Sequence, residues 1–321
     1  VDNLLKRFEV NKFFFKNKNK YKIYDCFLFL NENDLLEIRL NELSDVVDYF
    51  IIVESKLTFT KHAKPFNFDI QRFAKFKDQI IYIQDEQYIK SPNPWETEKY
   101  QRNKLIEGLN LPYLDIKASQ QDLIILSDLD EIPKKESIKD VFFEIYKNNK
   151  KYVKLNLKSF RYAINNQMIT DQEWAGPTCT KRIDISTMQE LRKENNAFYI
   201  KNSGWHYSWM GNPEDIIYKL RSYSHKENDK WPNNDVSFIK ERISKGYSCL
   251  GHEECLFKII DLNKKNCSKY VLKNKEKYDK LIFKHEKSSI WAQITSLYHK
   301  KVCEIKEYSL GIRNKSSKKI N

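Results

Sequence analysis

Three acids, Asp128, Asp130 and Glu131, stand directly behind the apolar run Leu123-Ile124-Ile125-Leu126. A continuous apolar run of that length is typical of a strand buried on both faces of a parallel sheet. Side chains alternate along a strand, so Asp128 and Asp130 share one face if the extended conformation persists past Ser127. Two carboxylates then converge at the strand's C-terminal end, where open α/β sheets bind their ligands. Their hard oxygens suit Mg2+ or Mn2+, with coordination positions left for phosphate oxygens. The competing reading is that these acids cap the helix that follows Pro133.

The chain has seven glycines, none clustered, so neither G-x-G-x-x-G nor G-x-x-x-x-G-K-[ST] is present. Kinase, P-loop and dinucleotide-binding classes lose their phosphate cradle. A bound nucleotide would need another positive partner, and a carboxylate-held divalent cation is the usual one.

Two further constellations bear on such a site. In Gly204-Trp205-His206-Tyr207-Ser208-Trp209 an imidazole lies between indoles. It reads as a late metal or substrate contact with stacking faces beside it, or as an aromatic core segment with a satisfied histidine. In Glu98-Lys99-Tyr100-Gln101-Arg102-Asn103 the guanidinium of Arg102 can neutralise phosphate, or pair with Glu98 one helical turn away.

The elements that must position these residues alternate in the manner of a βαβ sheet. Strands are expected at 24–30, 49–54, 80–84 and 122–127, and helices at 33–47, 95–109 and 136–148. A long strand over 152–163 and an aromatic loop around Trp174 come next, and then the segment 198–209. Helices are expected again at 213–225, 235–245 and 270–283. The simplest organisation is a basic extension over 1–21, one α/β domain over 22–257 and a Lys-rich helical segment over 258–321.

Composition sets the class. At 321 residues, with 40% hydrophobic and 14% aromatic residues, the chain can bury a core without staples. Lys and Arg exceed Asp and Glu by 57 − 44 = 13, so the surface attracts anions; much of the excess lies in Lys/Asn-rich stretches that read as solvated surface. The six cysteines include no C-x-x-C pair and no zinc spacing, and His252 between Cys249 and Cys255 fits no common zinc pattern. No run approaches the roughly 18–20 apolar residues that span a bilayer. The expected location is therefore the cytoplasm or the periphery of a membrane touched through the basic surface, with an anchor ahead of Val1 left open.

Together these segments resemble glycosyltransferase family 17 over roughly residues 22 to 283. The likeness runs through Asp25-Cys26-Phe27-Leu28-Phe29, Asp34 to Arg39, Asp45-Val46-Val47-Asp48, Glu54-Ser55 with Thr58, and Lys64-Pro65. It continues in Gln101-Arg102-Asn103, Ser127 to Pro133, Gly204 to Trp209, Pro213-Glu214 and Lys219-Leu220. The resemblance implies a GT-A fold, an α/β nucleotide-binding sheet with a D-x-D metal site. It also implies inverting transfer of N-acetylglucosamine from UDP-N-acetylglucosamine to a glycan in β-1,4 linkage. Carried over, Asp128 and Asp130 look like the metal-diphosphate acids, Glu54 looks placed for the nucleoside, and His206 like a metal or phosphate contact. Trp205 and Arg102 join the donor side. The chain departs from the family pattern at Lys61-His62, where a glycine is usual, and across 154–200, so the acceptor stays open.

Inversion needs a general base for the acceptor hydroxyl. Glu214 is the first candidate, against the alternative of a first-turn glutamate favoured by the helix dipole. A transferase of another nucleotide sugar, a nucleotidyltransferase and an inactive carbohydrate-binding relative are the alternatives. A nucleic-acid-binding protein would explain the charge, but no recognisable module appears and no specific nucleic-acid partner is expected.

Overall fold

The computed structural model describes residues 2–111, 116–169, 173–250 and 257–284. In chain order the first elements are α1 (Asp2–Asn17), β1 (Ile23–Leu28), α2 (Asn33–Leu43), β2 (Tyr49–Ser55), β3 (Ile80–Asp85) and α3 (Pro94–Lys104). A short hairpin, β4 (Asn110–Leu111) and β5 (Ile116–Lys117), precedes β6 (Leu123–Leu126), β7 (Glu131–Pro133) and α4 (Lys135–Tyr146). Then come β8 (Val153–Arg161), β9 (Asn166–Met168), β10 (Trp174–Lys181), α5 (Met188–Lys193), β11 (Phe198–Ile200) and β12 (Gly204–Ser208). The last are α6 (Pro213–Ser222), α7 (Val236–Ser244), β13 (Phe257–Ile259) and α8 (Lys269–Lys273).

The main sheet runs β13-β9-β8-β10-β6-β1-β2-β3, with β11 and β12 joining β8, and β7 pairing β12. Strands β6, β1, β2 and β3 are mutually parallel, and β10 turns the sheet antiparallel. This is the mixed α/β sheet with flanking helices expected from the sequence. The period of two divides the parallel strands between two cores. Ile23, Phe27, Phe50, Ile52, Leu123 and Ile125 face α2 and α4, while Tyr24, Cys26, Ile51, Val53, Ile124 and Leu126 face Leu105, Leu109, Met188 and Leu191. Each such side chain, fully buried, contributes about 1.5–3 kcal/mol of transfer free energy.

Helix ends follow local chemistry. Asn93 caps α3 ahead of Pro94, and Asn212 with Asp215 forms a capping box on α6 ahead of Pro213. The helix expected over 33–47 stops at Leu43, because 44–47 turns so that Asp48 can meet Ile23 at the base of β1. The helix expected over 270–283 is a single α-turn followed by a 3-10 segment, Lys275–Leu281, kinked at Tyr278.

Both ends of the described residues belong to the fold. The stretch expected as a basic extension is helix α1, whose Val10 and Phe14 are buried and whose Arg7 pairs with Asp140 of α4. Near the other end, Cys267, Val271, Tyr278 and Leu281 sit in the main core, and Tyr270 donates to Glu37 of α2. The segment holding His252, Glu253 and Cys255 lies outside the described residues, and Cys249 is a buried free thiol.

Candidate active site

The chain leaves β1 toward β2 on one side and returns to β6 on the other, so the parallel part of the sheet has its switch point between β1 and β6. Ligands of open α/β sheets bind there, at the strands' C-terminal ends. A cavity of about 330 Å³ opens at that place, and Leu28, Phe29, Leu30, Ser55, Asp128 and Asp130 are among its lining residues.

Asp128 and Asp130 both reach the cavity, though not on one extended strand. Strand β6 ends at Leu126 and the chain turns, with Glu131 N–H donating to the Asp128 carbonyl. The cause lies underneath. Arg39 of α2 is 0% exposed and forms a two-pronged pair with Asp25 of β1 at 2.8 and 2.6 Å. Its remaining N–H groups donate to the carbonyls of Asp128, Leu129 and Glu131 at 3.0, 3.2 and 2.9 Å, and to Ser127 Oγ at 2.6 Å. The turn is wound around that guanidinium, whose rigid fork of donors suits the task.

Above the turn each acid has its own cation. Arg192 Nη2 lies 2.8 Å from Asp128 Oδ2 and 2.7 Å from Glu131 Oε1, and Arg102 Nη2 lies 3.3 Å from Asp128 Oδ1. Burial would push the Asp128 carboxyl up, but the charges of Arg192 and Arg102 outweigh it and hold the group well below the usual carboxylate range. Lys219 of α6 lies 3.0 Å from Asp130 Oδ2 and 3.5 Å from Glu32. Burial would lower this ammonium, yet Asp130 and Glu32 hold its pKa above the ordinary lysine value.

Glu131 is fully enclosed, taking both Arg192 nitrogens, the Trp174 indole N–H at 2.6 Å and the Asp128 backbone N–H. It props the acids rather than facing the cavity. On β12, side-chain alternation sends His206 and Ser208 into the cavity and Trp205 and Tyr207 into the core. The His206 ring stacks on Trp174 at 4.7 Å, and its Nε2 lies 3.8 Å from Asp130 Oδ1. Burial pushes the imidazole below its ordinary value, against the pull of Asp130 and Glu131, which favours the neutral ring and its lone pair. Gly204 sets this strand's approach: a Cβ there would lie 2.2 Å from the Ile132 carbonyl oxygen. Only glycine lets β12 pair with β7 closely enough to bring His206 beside Asp130.

The sequence profile of glycosyltransferase family 17 matches residues 10–282. The chain belongs to that family. Its curated relatives include the β-1,4-mannosyl-glycoprotein 4-β-N-acetylglucosaminyltransferases of Rattus norvegicus and Homo sapiens. Each is 23% identical, over 81% and 78% of this chain and 55% and 53% of the relative. The chain thus spans about half the length of these relatives. Among solved structures, S. aureus TarS 1-349 in complex with UDP-GlcNAc aligns at 12% identity with a TM-score of 0.37, over 62% of this chain and 64% of that one. That likeness is too distant to carry residue assignments.

Three residues singled out in the sequence of this family 17 chain stand elsewhere than expected. Trp205, expected on the donor side, is 3% exposed and belongs to the core, because it shares its strand face with Tyr207. Glu54, expected to face the nucleoside, is closed off by four donors: Lys64 Nζ and Asn67 N at 2.6 Å, Phe68 N at 3.1 Å and the Tyr82 hydroxyl at 2.7 Å. It holds the 64–68 loop against β2 and β3. Glu214, the expected base, is exposed on the first turn of α6 and is not among the residues lining the cavity, whereas Lys219 on the same helix is.

Arg102 makes the helical-turn pair with Glu98, one of its two expected roles, at 2.7 Å, and it also reaches Asp128 at 3.3 Å and Gln189 at 2.6 Å. Sequence reasoning missed Arg192 and the role of Arg39. Arg39 carries a signal, the one cation of α2, set between Ile38 and Leu40 and facing a lone acid in the apolar strand β1. Arg192 sits on a six-residue helix with no spacing to mark it.

These donors suit a divalent cation in kind. The chemistry fits: two hard carboxylates and a neutral imidazole face one cavity, and Asp130 Oδ1 and His206 Nε2 share a gap. Among the described residues no three such groups converge into a ready-made cage. Each acid is instead paired with a cation.

Proposed function

We propose that this chain is an inverting glycosyltransferase that takes N-acetylglucosamine from UDP-N-acetylglucosamine and joins it in β-1,4 linkage to a glycan acceptor. One observation supports the reading above others: Asp128, Asp130, His206, Arg102 and Lys219 all line one cavity at the sheet's switch point. The relatives' names supply the sugar and suggest a β-mannosyl glycan as acceptor.

In such a transfer the acceptor oxygen attacks the anomeric carbon as the bond to the diphosphate oxygen breaks, and negative charge grows on the departing diphosphate. Arg102 and Lys219 hold fixed positive charge at that end of the cleft, where a low-dielectric wall magnifies it. The apolar patch of Leu28, Phe29, Leu30 and Leu57 offers a surface to the nucleoside. Asp128, Asp130 and His206 would hold Mn2+ or Mg2+, which when bound supplies Lewis-acid charge to the leaving group. The surroundings favour the neutral form of His206 and the ionised form of Asp128, the forms that a ligand needs.

The test is nucleotide release from UDP-N-acetylglucosamine with Mn2+. Asp130→Asn is expected to melt like the parent while losing at least about a hundredfold in release. Wild-type turnover in that variant, or full activity in excess EDTA, overturns the metal reading. Calorimetry showing tighter GDP than UDP binding turns the assignment toward another nucleotide sugar.

A further inference from the structure

The cavity also has an aromatic end. Trp95, Trp209, Tyr223 and His225 line it. Their rings converge: Trp95 meets His225 edge-on at 4.6 Å, Tyr223 lies 5.5 Å from His225, and Trp209 meets Tyr223 at 5.2 Å. Trp95 is 44% exposed, leaving indole surface open beside the cavity. Trp209 is held at φ 56°, a left-handed conformation that a bulky residue adopts only when its surroundings impose it.

His225 Nδ1 lies 2.6 Å from Glu227 Oε1. With Nδ1–H donating to that carboxylate, Nε2 is the unprotonated nitrogen and has no hydrogen-bond partner among the described residues. A ring oriented by a carboxylate through one nitrogen and open at the other is the arrangement of a proton acceptor. The neighbouring acid on α3, Glu98, is already committed to Arg102 and to the Ser224 hydroxyl. Those same bonds tie the His225 turn to Asp128 through Glu98 and Arg102, so the aromatic end is held in register with the acids.

We propose that the end of the cleft walled by Trp95, Trp209, Tyr223 and His225 receives the acceptor saccharide, and that His225 Nε2 takes the proton of its attacking hydroxyl. The proposal rests on the glycosyl-transfer reading above. The acceptor O–H bond breaks, its proton moves to Nε2, its oxygen bonds the anomeric carbon, and the electron pair of the old bond leaves with the diphosphate. Exposed aromatic faces suit the apolar faces of pyranose rings, and they fix which hydroxyl meets the imidazole. Glu227 is a positioning residue that keeps the imidazole in the required tautomer.

The experiment pairs donor binding with saccharide binding and transfer. UDP-N-acetylglucosamine affinity is measured by calorimetry. Methyl β-mannoside, methyl β-N-acetylglucosaminide and methyl β-galactoside are probed by saturation-transfer NMR on the UDP-saturated protein. Transfer is then followed with whichever saccharide binds. Trp95→Ala is expected to raise the saccharide KM about tenfold with donor affinity unchanged. His225→Ala is expected to lower kcat about a hundredfold or more with both affinities unchanged, and added imidazole should restore part of it. Glu227→Gln should cost about tenfold in kcat. No donor binding by the parent protein overturns the glycosyl-transfer reading itself. Donor binding without any saccharide binding, donor affinity lost in Trp95→Ala, or parental kcat in His225→Ala overturns this assignment alone.

Discussion

Arg39 and Lys219 approach the same acidic turn from opposite sides, and their surroundings differ in kind. Arg39 is sealed beneath it with six hydrogen bonds, every partner supplied by the protein. Lys219 stands on the cavity side with its side chain 25% exposed, held by two carboxylates and lining the space where a ligand would sit. A cation whose partners are all internal can only shape the backbone. One whose partners face a cavity can exchange them for phosphate oxygens or a metal's ligands. The acidic cluster is therefore built in two layers, a sealed cradle below and a charge array facing the cavity above.

The largest effect should come from breaking the cradle. Arg39→Met leaves Asp25 buried without its partner and strips three turn carbonyls of donors, a loss of about 3–5 kcal/mol by urea unfolding. A loss under about 1 kcal/mol would mean that the turn is held by something else. Glu42 sharpens the comparison as a buried carboxylate that accepts from the Lys135 backbone N–H and makes no ion pair among the described residues. Burial, only partly offset by that hydrogen bond, pushes its carboxyl up to about 7. The folded state thus favours the neutral form, and stability falls as pH rises from the unfolded carboxyl value through about 7. Glu42→Gln should therefore change little near pH 4 and add on the order of 2 kcal/mol at pH 8, read from melting curves at the two pH values. A gain that is equal at both would refute the assignment. The smallest structural effect belongs to the upper layer: Lys219→Met should cost under about 1 kcal/mol of stability but weaken UDP-sugar affinity about tenfold. A destabilisation matching that of Arg39→Met would erase the distinction between the layers.

Legibility in the sequence followed the same division. The parallel strands and their helices could be read to within a few residues, because β1, β2 and β6 repeat apolar side chains that must be covered on both faces. The acids at 128 and 130 were readable as a cluster, but their conformation was not, since the turn depends on Arg39 some 90 positions away in the chain. Trp205 and His206 were inseparable as neighbours in a motif, and strand alternation parted them into core and cavity. Glu54 illustrates the opposite hazard: an acid at the end of a parallel strand is well placed for a ligand, yet the 64–68 loop satisfies it completely.

The sequence by itself determined the mixed α/β class, the family and the strand end at which charge would gather. The class and the strand end follow from local composition and from periodicity, which every short window of chain carries with it, and the family from the ordered set of motifs that resembles it. Tertiary structure decided which charges meet. Arg192 reaches Glu131 from 61 positions away and Lys219 reaches Asp130 from 89. It also decided that α1 and the segment around Val271 close the core, and that His225 rather than Glu214 faces the cavity from the end of α6. The physical reason is that pairing between distant side chains is set by how helices and strands pack against one another. No spacing within a single element encodes that arrangement.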